Sequence, residues 1–191
     1  MSLVPAFELG LWNAWIFEVL WIISMFLGYL IDKKAMKRFG VVPPYGKTVK
    51  NLFLIAKLMS MVIIVYSIFL PIKLGTIWFY LGLSIYSLGL VMSLMVAVNF
   101  ASTPSNEPAI KGIYRISRNP AYLSMFLMYV GIGIACASWI YLLFGMIHII
   151  LANILVVYEE RFCLTKYGDA YREYMNRTPR WIGIPKSERK D

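Results

Sequence analysis

Charged residues are scarce in this chain of 191 residues. Asp, Glu, Lys and Arg together make up 15% of it, hydrophobic residues make up 60%, and the mean hydropathy is +0.66. A soluble globular domain is about 25% charged and about 45–50% apolar. The shortage of charge therefore excludes an ordinary soluble domain and indicates an integral membrane protein.

The signatures of several soluble enzyme classes are also missing. The chain has one histidine and two cysteines, with no CxxC pair and no metal-ligand spacing, so we expect no metal site. It has no Walker loop, GxGxxG or GxSxG, which leaves soluble nucleotide-binding folds and serine hydrolysis unsupported. The net charge of +9 comes from basic residues beside apolar runs, not from a water-exposed basic domain, so we expect no nucleic-acid partner.

Long hydrophobic runs, by contrast, are plentiful. A bilayer core takes roughly 20 helical residues, and runs of that length lie at 11–31, 52–72 and 76–100. The stretch 121–157 has no charged residue and would be about 55 Å long as one helix. We expect two crossings there, joined by a turn at 135–138. The sequence predicts an all-α integral membrane bundle of five transmembrane helices, the last two a helical hairpin, with a cytoplasmic C-terminal helical tail.

The basic residues predict the orientation of this bundle, because Lys and Arg accumulate in cytoplasmic loops. Segments 32–50, 101–120 and 158–191 carry six, three and eight of the 19 basic residues. We therefore expect the amino terminus outside and the carboxyl terminus in the cytoplasm, with a prokaryotic inner membrane as the location.

Polar residues collect at both ends of the predicted hairpin. Asn119 and Pro120 suit the N-cap and first turn of a helix, and the free N–H groups there favour an anion, as does Arg118. Glu159 and Glu160 follow the last apolar helix, where acidic side chains oppose the helix dipole, so a cationic ligand is one explanation for them. A capped helix with interfacial arginines and solvated carboxylates is the alternative reading.

The tail after this helix has an amphipathic pattern. Tyr167, Tyr171 and Tyr174 recur at helical spacing with charged residues between them. Gly168 is expected to end one helix before the next begins. The pattern predicts a tail that folds over the polar cluster, and Arg180 beside Trp181 serves either the site or membrane anchoring.

Four motifs occur in a fixed order: GIY at 112–114, RNPAY at 118–122, EE at 159–160 and YGDAYREY at 167–174, followed by Arg180. In this order and spacing the chain resembles the membrane-embedded methyltransferases that include isoprenylcysteine carboxyl methyltransferases and phospholipid N-methyltransferases. The resemblance implies S-adenosylmethionine as cofactor and a lipophilic or lipid acceptor in contact with membrane lipids. It also implies one membrane domain, 1–191, with three helices in 1–100 and the cofactor-binding methyltransferase core in 101–191.

The resemblance further implies roles for single residues. Cofactor binding is expected from Asn106, Ile110, Tyr114, Arg118, Asn119, Pro120, Tyr122, Glu159 and Glu160. Two residues are candidates for catalysis, Arg180 for a carboxylate acceptor and Glu160 for the proton of an ammonium acceptor. The chain departs from the family at Asn119, where a histidine is usual, and at Leu155, where isoprenylcysteine enzymes tend to carry a substrate-binding arginine.

Two other functions compete with methyl transfer. A membrane reductase of the sterol reductase type would share the carboxyl-terminal architecture but use NADPH, and a scaffold would bind neither cofactor. Adjacent carboxylates at 159–160 should attract a cationic sulfonium and repel a phosphorylated dinucleotide, which favours the methyltransferase. The identity of the acceptor and the oligomeric state stay open at this point.

Overall fold

The computed structural model of the chain describes residues 8–41 and 43–183. Within these ranges it contains seven α-helices, one short 3₁₀ helix and a single isolated bridge between Asn13 and Pro71. The helices are α1 (Trp15–Ile31), α2 (Lys33–Met36), α3 (Lys47–Ile68), α4 (Ile77–Ala101), the 3₁₀ helix (Gly112–Arg115), α5 (Pro120–Ala135), α6 (Trp139–Tyr167) and α7 (Asp169–Arg177). The predicted all-α fold is therefore confirmed for the part of the chain that the structure describes.

Five of these helices are apolar. α3, α4 and α6 are long and apolar enough to cross a membrane, while α1 and α5 are apolar but shorter. Their exposed surfaces are rich in large hydrophobic side chains, as expected of helices that face lipid. These are the helices of a membrane protein, and the exact number of five crossings stays a prediction.

Close packing of α4 against α5 forms the most extensive helix contact of the bundle. Glycines make this approach possible: a Cβ added at Gly82 would lie 2.3 Å from the Ala135 nitrogen, and one at Gly131 would lie 2.5 Å from the Tyr86 nitrogen. In membranes, small residues let helix backbones come close enough for dispersion contacts to hold them together. α4 therefore fixes the position of α5, which begins at the polar motif.

The hairpin turn falls where the sequence predicts it. α5 ends at Ala135 and α6 begins at Trp139, with Ala137 in the left-handed region at φ 52°. The Ser138 hydroxyl accepts a hydrogen bond from the Tyr141 amide at 3.2 Å and so caps α6. Since α5 and α6 run antiparallel, the start of α5 and the end of α6 lie at the same end of the bundle, which we call the site end.

Glu18 is a carboxyl group inside an apolar helix, and the sequence offers no partner for it. In the structure its side chain is buried, and the Tyr141 hydroxyl donates a hydrogen bond to its Oε1 at 2.6 Å. Polar side chains within membrane helices usually face the bundle interior and pair there. The contact joins α1 to α6 at the end of the bundle opposite the site end.

The tail, which consists of α7 and the residues after it, packs against the site end through a cluster of buried residues. Its buried members are Val96, Ile113, Tyr114, Tyr171 and Tyr174. Gly168 separates α6 from α7 at φ 57°, as the sequence predicts, and this turn brings α7 back over the 3₁₀ helix. The cytoplasmic location of this end stays a prediction.

Replacing Gly82 by alanine should destabilise the bundle by about 1–3 kcal/mol, because the new methyl group would overlap backbone atoms of α5. Thermal unfolding in detergent measures the loss. Gly46→Ala is the matched control, since nothing lies within 4 Å of the Cβ position at Gly46. Equal melting temperatures for the two variants would contradict the close approach of α4 and α5.

Candidate functional site

The buried carboxylate of Glu160 lies at the centre of an ion cluster at the site end. Arg180 donates to Oε2 from Nη2 at 2.7 Å, and Arg118 Nε lies 3.3 Å from Oε1. Asn119 Nδ2 donates to the same Oε1 at 3.2 Å. The Glu160 side chain is only 4% exposed. A carboxylate so buried requires charged partners, and the two arginines supply them.

Asn119 has a different role from the one that its position suggests. Pro120 begins α5 as predicted, but the Asn119 side chain makes no capping hydrogen bond to the helix. Its amide instead donates to Glu160 and to the Arg180 carbonyl, both at 3.2 Å. Asn119 therefore occupies the predicted N-cap position of α5, but its side chain does not cap the helix, because its amide is turned toward the buried carboxylate.

Backbone contacts fasten the end of the tail to the loop before α5. The Arg118 amide donates to the Pro179 carbonyl at 3.0 Å, and the Ser117 hydroxyl donates to the Arg180 carbonyl at 3.2 Å. The Tyr174 hydroxyl donates to the Tyr114 carbonyl at 2.6 Å. Burial raises the pKa of Tyr174, so this group stays a hydroxyl donor at neutral pH. The loop, α6 and the tail thus form one polar junction.

Glu159, although adjacent to Glu160, has separate surroundings. Successive residues of an α-helix point about 100° apart, so the two carboxylates face different neighbours. The Tyr122 hydroxyl donates to Glu159 Oε1 at 2.9 Å, and both residues line a cavity that Glu160 does not line. Glu159 is therefore the member of the pair whose side chain faces open space.

This cavity has a volume of about 530 Å³, within the usual range for small-molecule sites. Its walls come from the connection after α2, the end of α4, the loop before α5, the start of α5, the end of α6, and α7. Most of the lining is apolar or aromatic, and the charged lining residues are Arg38, Glu107, Arg118, Glu159 and Lys166. The arrangement can hold a ligand that combines a flat ring, a cationic group and an apolar part.

Most of the residues named from the sequence meet at this cavity. Six of the nine predicted cofactor-binding residues line it: Tyr114, Arg118, Asn119, Pro120, Tyr122 and Glu159. The others do not. Glu160 lies behind the wall in its ion cluster, together with the predicted catalytic Arg180. Asn106 and Ile110 flank a lining segment, 107–109, without lining the cavity themselves.

Sequence reasoning missed the contribution of residues 1–100 to the cavity. Arg38, Phe39 and Phe100 all line the cavity. The basic segment 32–50 indicated membrane orientation alone, and no motif marked Arg38 within it. Ser117, which fastens the tail, was likewise without a signal. Only the folded chain brings these side chains to the site.

Metal-binding groups of three or more His, Cys, Asp or Glu side chains do not occur among the residues that the structure describes. The cavity has the groups to bind a ligand through a carboxylate, cationic side chains and aromatic faces.

Comparison with known protein families assigns the site end to a family. The phospholipid methyltransferase family model matches residues 74–170, just over half of the chain, and this range includes all of α4, α5 and α6. The chain belongs to the phospholipid methyltransferase family, a family of membrane methyltransferases. Among curated proteins, none matches the chain. The predicted resemblance is therefore confirmed at the level of the family.

Glu160→Gln should loosen the tail, because a neutral amide no longer offsets the charges of Arg118 and Arg180. Breaking a buried ion pair costs about 3–5 kcal/mol, and we expect a smaller loss here because the Arg180 side chain is 39% exposed. Hydrogen exchange of the α7 amides in detergent should become faster.

Glu173→Gln is the control for this exchange experiment. It removes the charge from an exposed ion pair with Arg177 within α7, and surface pairs of this kind contribute little. If Glu160→Gln and Glu173→Gln changed the exchange of α7 to the same extent, the ion cluster at Glu160 would not be what holds the tail.

Proposed function

We propose that the protein is an S-adenosylmethionine-dependent methyltransferase that acts on a lipophilic acceptor, with the 530 Å³ cavity at the site end as its active site. The observation that carries this proposal is the Glu159 carboxylate, held by Tyr122 on the wall of a largely apolar cavity. Membership in the phospholipid methyltransferase family supports the reaction class.

The residues of the cavity fit the proposed cofactor group by group. The Glu159 carboxylate suits the ammonium or the ribose hydroxyls as an acceptor, and Arg118, which also lines the cavity, suits the carboxylate. The rings of Tyr114 and Tyr171 offer faces for adenine. S-adenosylmethionine, when bound, would supply an electrophilic methyl group.

An amine-bearing phospholipid is the acceptor that we favour. A carboxylate acceptor calls for an arginine on the cavity wall, but the predicted candidate, Arg180, does not line the cavity and donates to Glu160 from both Nε and Nη2. An amine head group needs no such arginine, and the family description points to phospholipids. Because both oxygens of Glu160 already accept hydrogen bonds, we assign Glu160 and Arg180 to positioning the tail and Glu159 to binding the cofactor.

The proposed membrane arrangement follows from the apolar helices and the basic segments. α1, α3, α4, α5 and α6 make five crossings, with α1 and α5 as the short ones. The amino terminus lies outside, and the site end faces the cytoplasm, where S-adenosylmethionine is available. In this arrangement residues 101–191 form the methyltransferase core, and the apolar part of the acceptor lies in the hydrocarbon layer.

Methyl transfer itself is tested with purified protein, radiolabelled S-adenosylmethionine and vesicles of defined lipids. We expect label to enter lipids with a primary or methylated amine head group and not lipids with a choline or glycerol head group. Label in a carboxylate-bearing acceptor alone would overturn the choice of acceptor. Absence of label from all acceptors, together with no cofactor binding, would overturn the proposed function.

Calorimetry in detergent separates the competing classes of protein. We expect S-adenosylmethionine or its demethylated product to bind, with Glu159 as an acceptor, and we expect no binding of NADPH. Binding of NADPH alone would indicate a membrane reductase. Binding of neither compound would indicate a scaffold.

Glu159→Gln should weaken binding of the demethylated cofactor product by about 10-fold, because one charge-assisted hydrogen bond becomes neutral. Folding should be preserved, since the side chain faces the cavity and the amide can still accept from Tyr122. Calorimetry measures the affinity, and thermal unfolding checks the fold. Glu107→Gln is the control, because it removes a second lining carboxylate that has no assigned role. An unchanged affinity in Glu159→Gln would show that a residue other than Glu159 binds the cationic group of the cofactor.

A further inference from the structure

Arg38 reaches the cavity from outside the part of the chain that the family model matches. Asp32 accepts hydrogen bonds from the amides of Lys34 at 2.7 Å and Ala35 at 3.0 Å, and so begins the short helix α2. These hydrogen bonds lower the pKa of Asp32, so it stays a charged cap. α2 contacts α4 and carries the chain to Arg38, beside the end of α4.

The guanidinium of Arg38 holds three consecutive backbone carbonyls after α4. Nη2 donates to the Thr103 carbonyl at 2.8 Å, and Nη1 donates to those of Ser105 at 3.1 Å and Pro104 at 3.3 Å. The guanidinium carbon also lies 5.3 Å from the centroid of the Phe100 ring. An arginine in this position fixes the course of the chain as it leaves α4.

The segment that Arg38 holds leads directly into a wall of the cavity. Residues 107–109 follow the three bound carbonyls and line the cavity, as do Thr103 and Arg38 itself. The ring of Phe39, the next residue, meets the Phe100 ring edge to face at 5.1 Å, and both rings line the same space. Arg38 therefore joins two walls of the cavity, the connection after α2 and the loop after α4.

We propose that Arg38 is a positioning residue for cofactor binding, which holds segment 103–109 in the conformation that completes the cavity. This inference rests on the proposed function, since the ligand is taken to be S-adenosylmethionine. Within the segment, the Glu107 amide donates to the Pro104 carbonyl at 3.1 Å, but this hydrogen bond does not hold the Thr103 and Ser105 carbonyls. Without Arg38 this part of the loop would have to be ordered when the ligand binds. A loop that becomes ordered only on binding loses conformational entropy at that step, which lowers the affinity. A loop that is already held in place does not lose this entropy on binding.

The geometry calls for arginine in particular. A guanidinium is planar and presents five N–H donors in a fixed fork, whereas a lysine ammonium is a compact point charge on a flexible stem. Lysine at position 38 would keep the positive charge but could not hold three successive carbonyls together. Comparison of the two residues therefore separates positioning from charge.

The test uses Arg38→Met, Arg38→Lys and the control Lys37→Met, which removes the same charge from an adjacent, exposed side chain. Calorimetry with the demethylated cofactor product should show affinity lowered about 10- to 100-fold in both Arg38 variants and unchanged in Lys37→Met. The KM for S-adenosylmethionine should rise in parallel, with kcat at saturating cofactor close to that of the unmodified protein. Hydrogen exchange of residues 103–109 should be faster in the ligand-free Arg38 variants.

Three results would overturn the inference while leaving the proposed function in place. The first is cofactor affinity in Arg38→Met equal to that of the unmodified protein. The second is an affinity in Arg38→Lys equal to that of the unmodified protein. The third is an affinity in Lys37→Met that is lowered as much as in Arg38→Met. Either of these two results would indicate an effect of charge alone. If the first result came with a lower melting temperature of Arg38→Met, Arg38 would stabilise the fold without contributing to cofactor binding. Failure of the unmodified protein to bind the cofactor is a separate outcome and overturns the proposed function.

Discussion

The buried carboxylate of Glu160 is the constraint on which the site end depends. It joins the start of α5 through Asn119, the preceding loop through Arg118, and the end of the tail through Arg180. A charge this deeply buried is tolerated only with close partners of opposite sign, so the three segments cannot separate without leaving it unpaired. Arg118 and Asn119 of this junction also line the cavity, so the junction forms part of its wall.

Burial divides the two adjacent carboxylates into different roles. The turn of an α-helix directs Glu160 into the junction and Glu159 toward the cavity, although one residue follows the other in the chain. The Tyr122 hydroxyl donates to one oxygen of Glu159, whereas Glu160 is paired with two arginines. Glu160 thus holds the tail, and Glu159 faces the cavity in which we propose that the ligand binds. The proposed roles of the two residues follow from this difference.

Much of this organisation could be predicted from the sequence, because it depends on local patterns. The absence of charge over 121–157 indicated a hairpin, and a hairpin requires that Asn119 and Glu160 lie at the same end, as their hydrogen bond of 3.2 Å shows. The same local pattern placed Asn119 correctly at the N-cap position, but its side chain makes no capping hydrogen bond there. Whether its amide turns to its own helix or to a buried carboxylate 41 residues later depends on packing that no local pattern contains.

The sequence by itself determined the apolar helices, the hairpin turn and the family motifs, since each follows from hydropathy, helical spacing or residue order within one segment. Tertiary structure alone decided that Tyr141 pairs with Glu18, that Glu160 is held while Glu159 faces the cavity, and that Arg38 reaches the loop after α4. These contacts join residues that are distant in the chain. They depend on how the helices pack, as in the close approach of α4 and α5 that glycines permit.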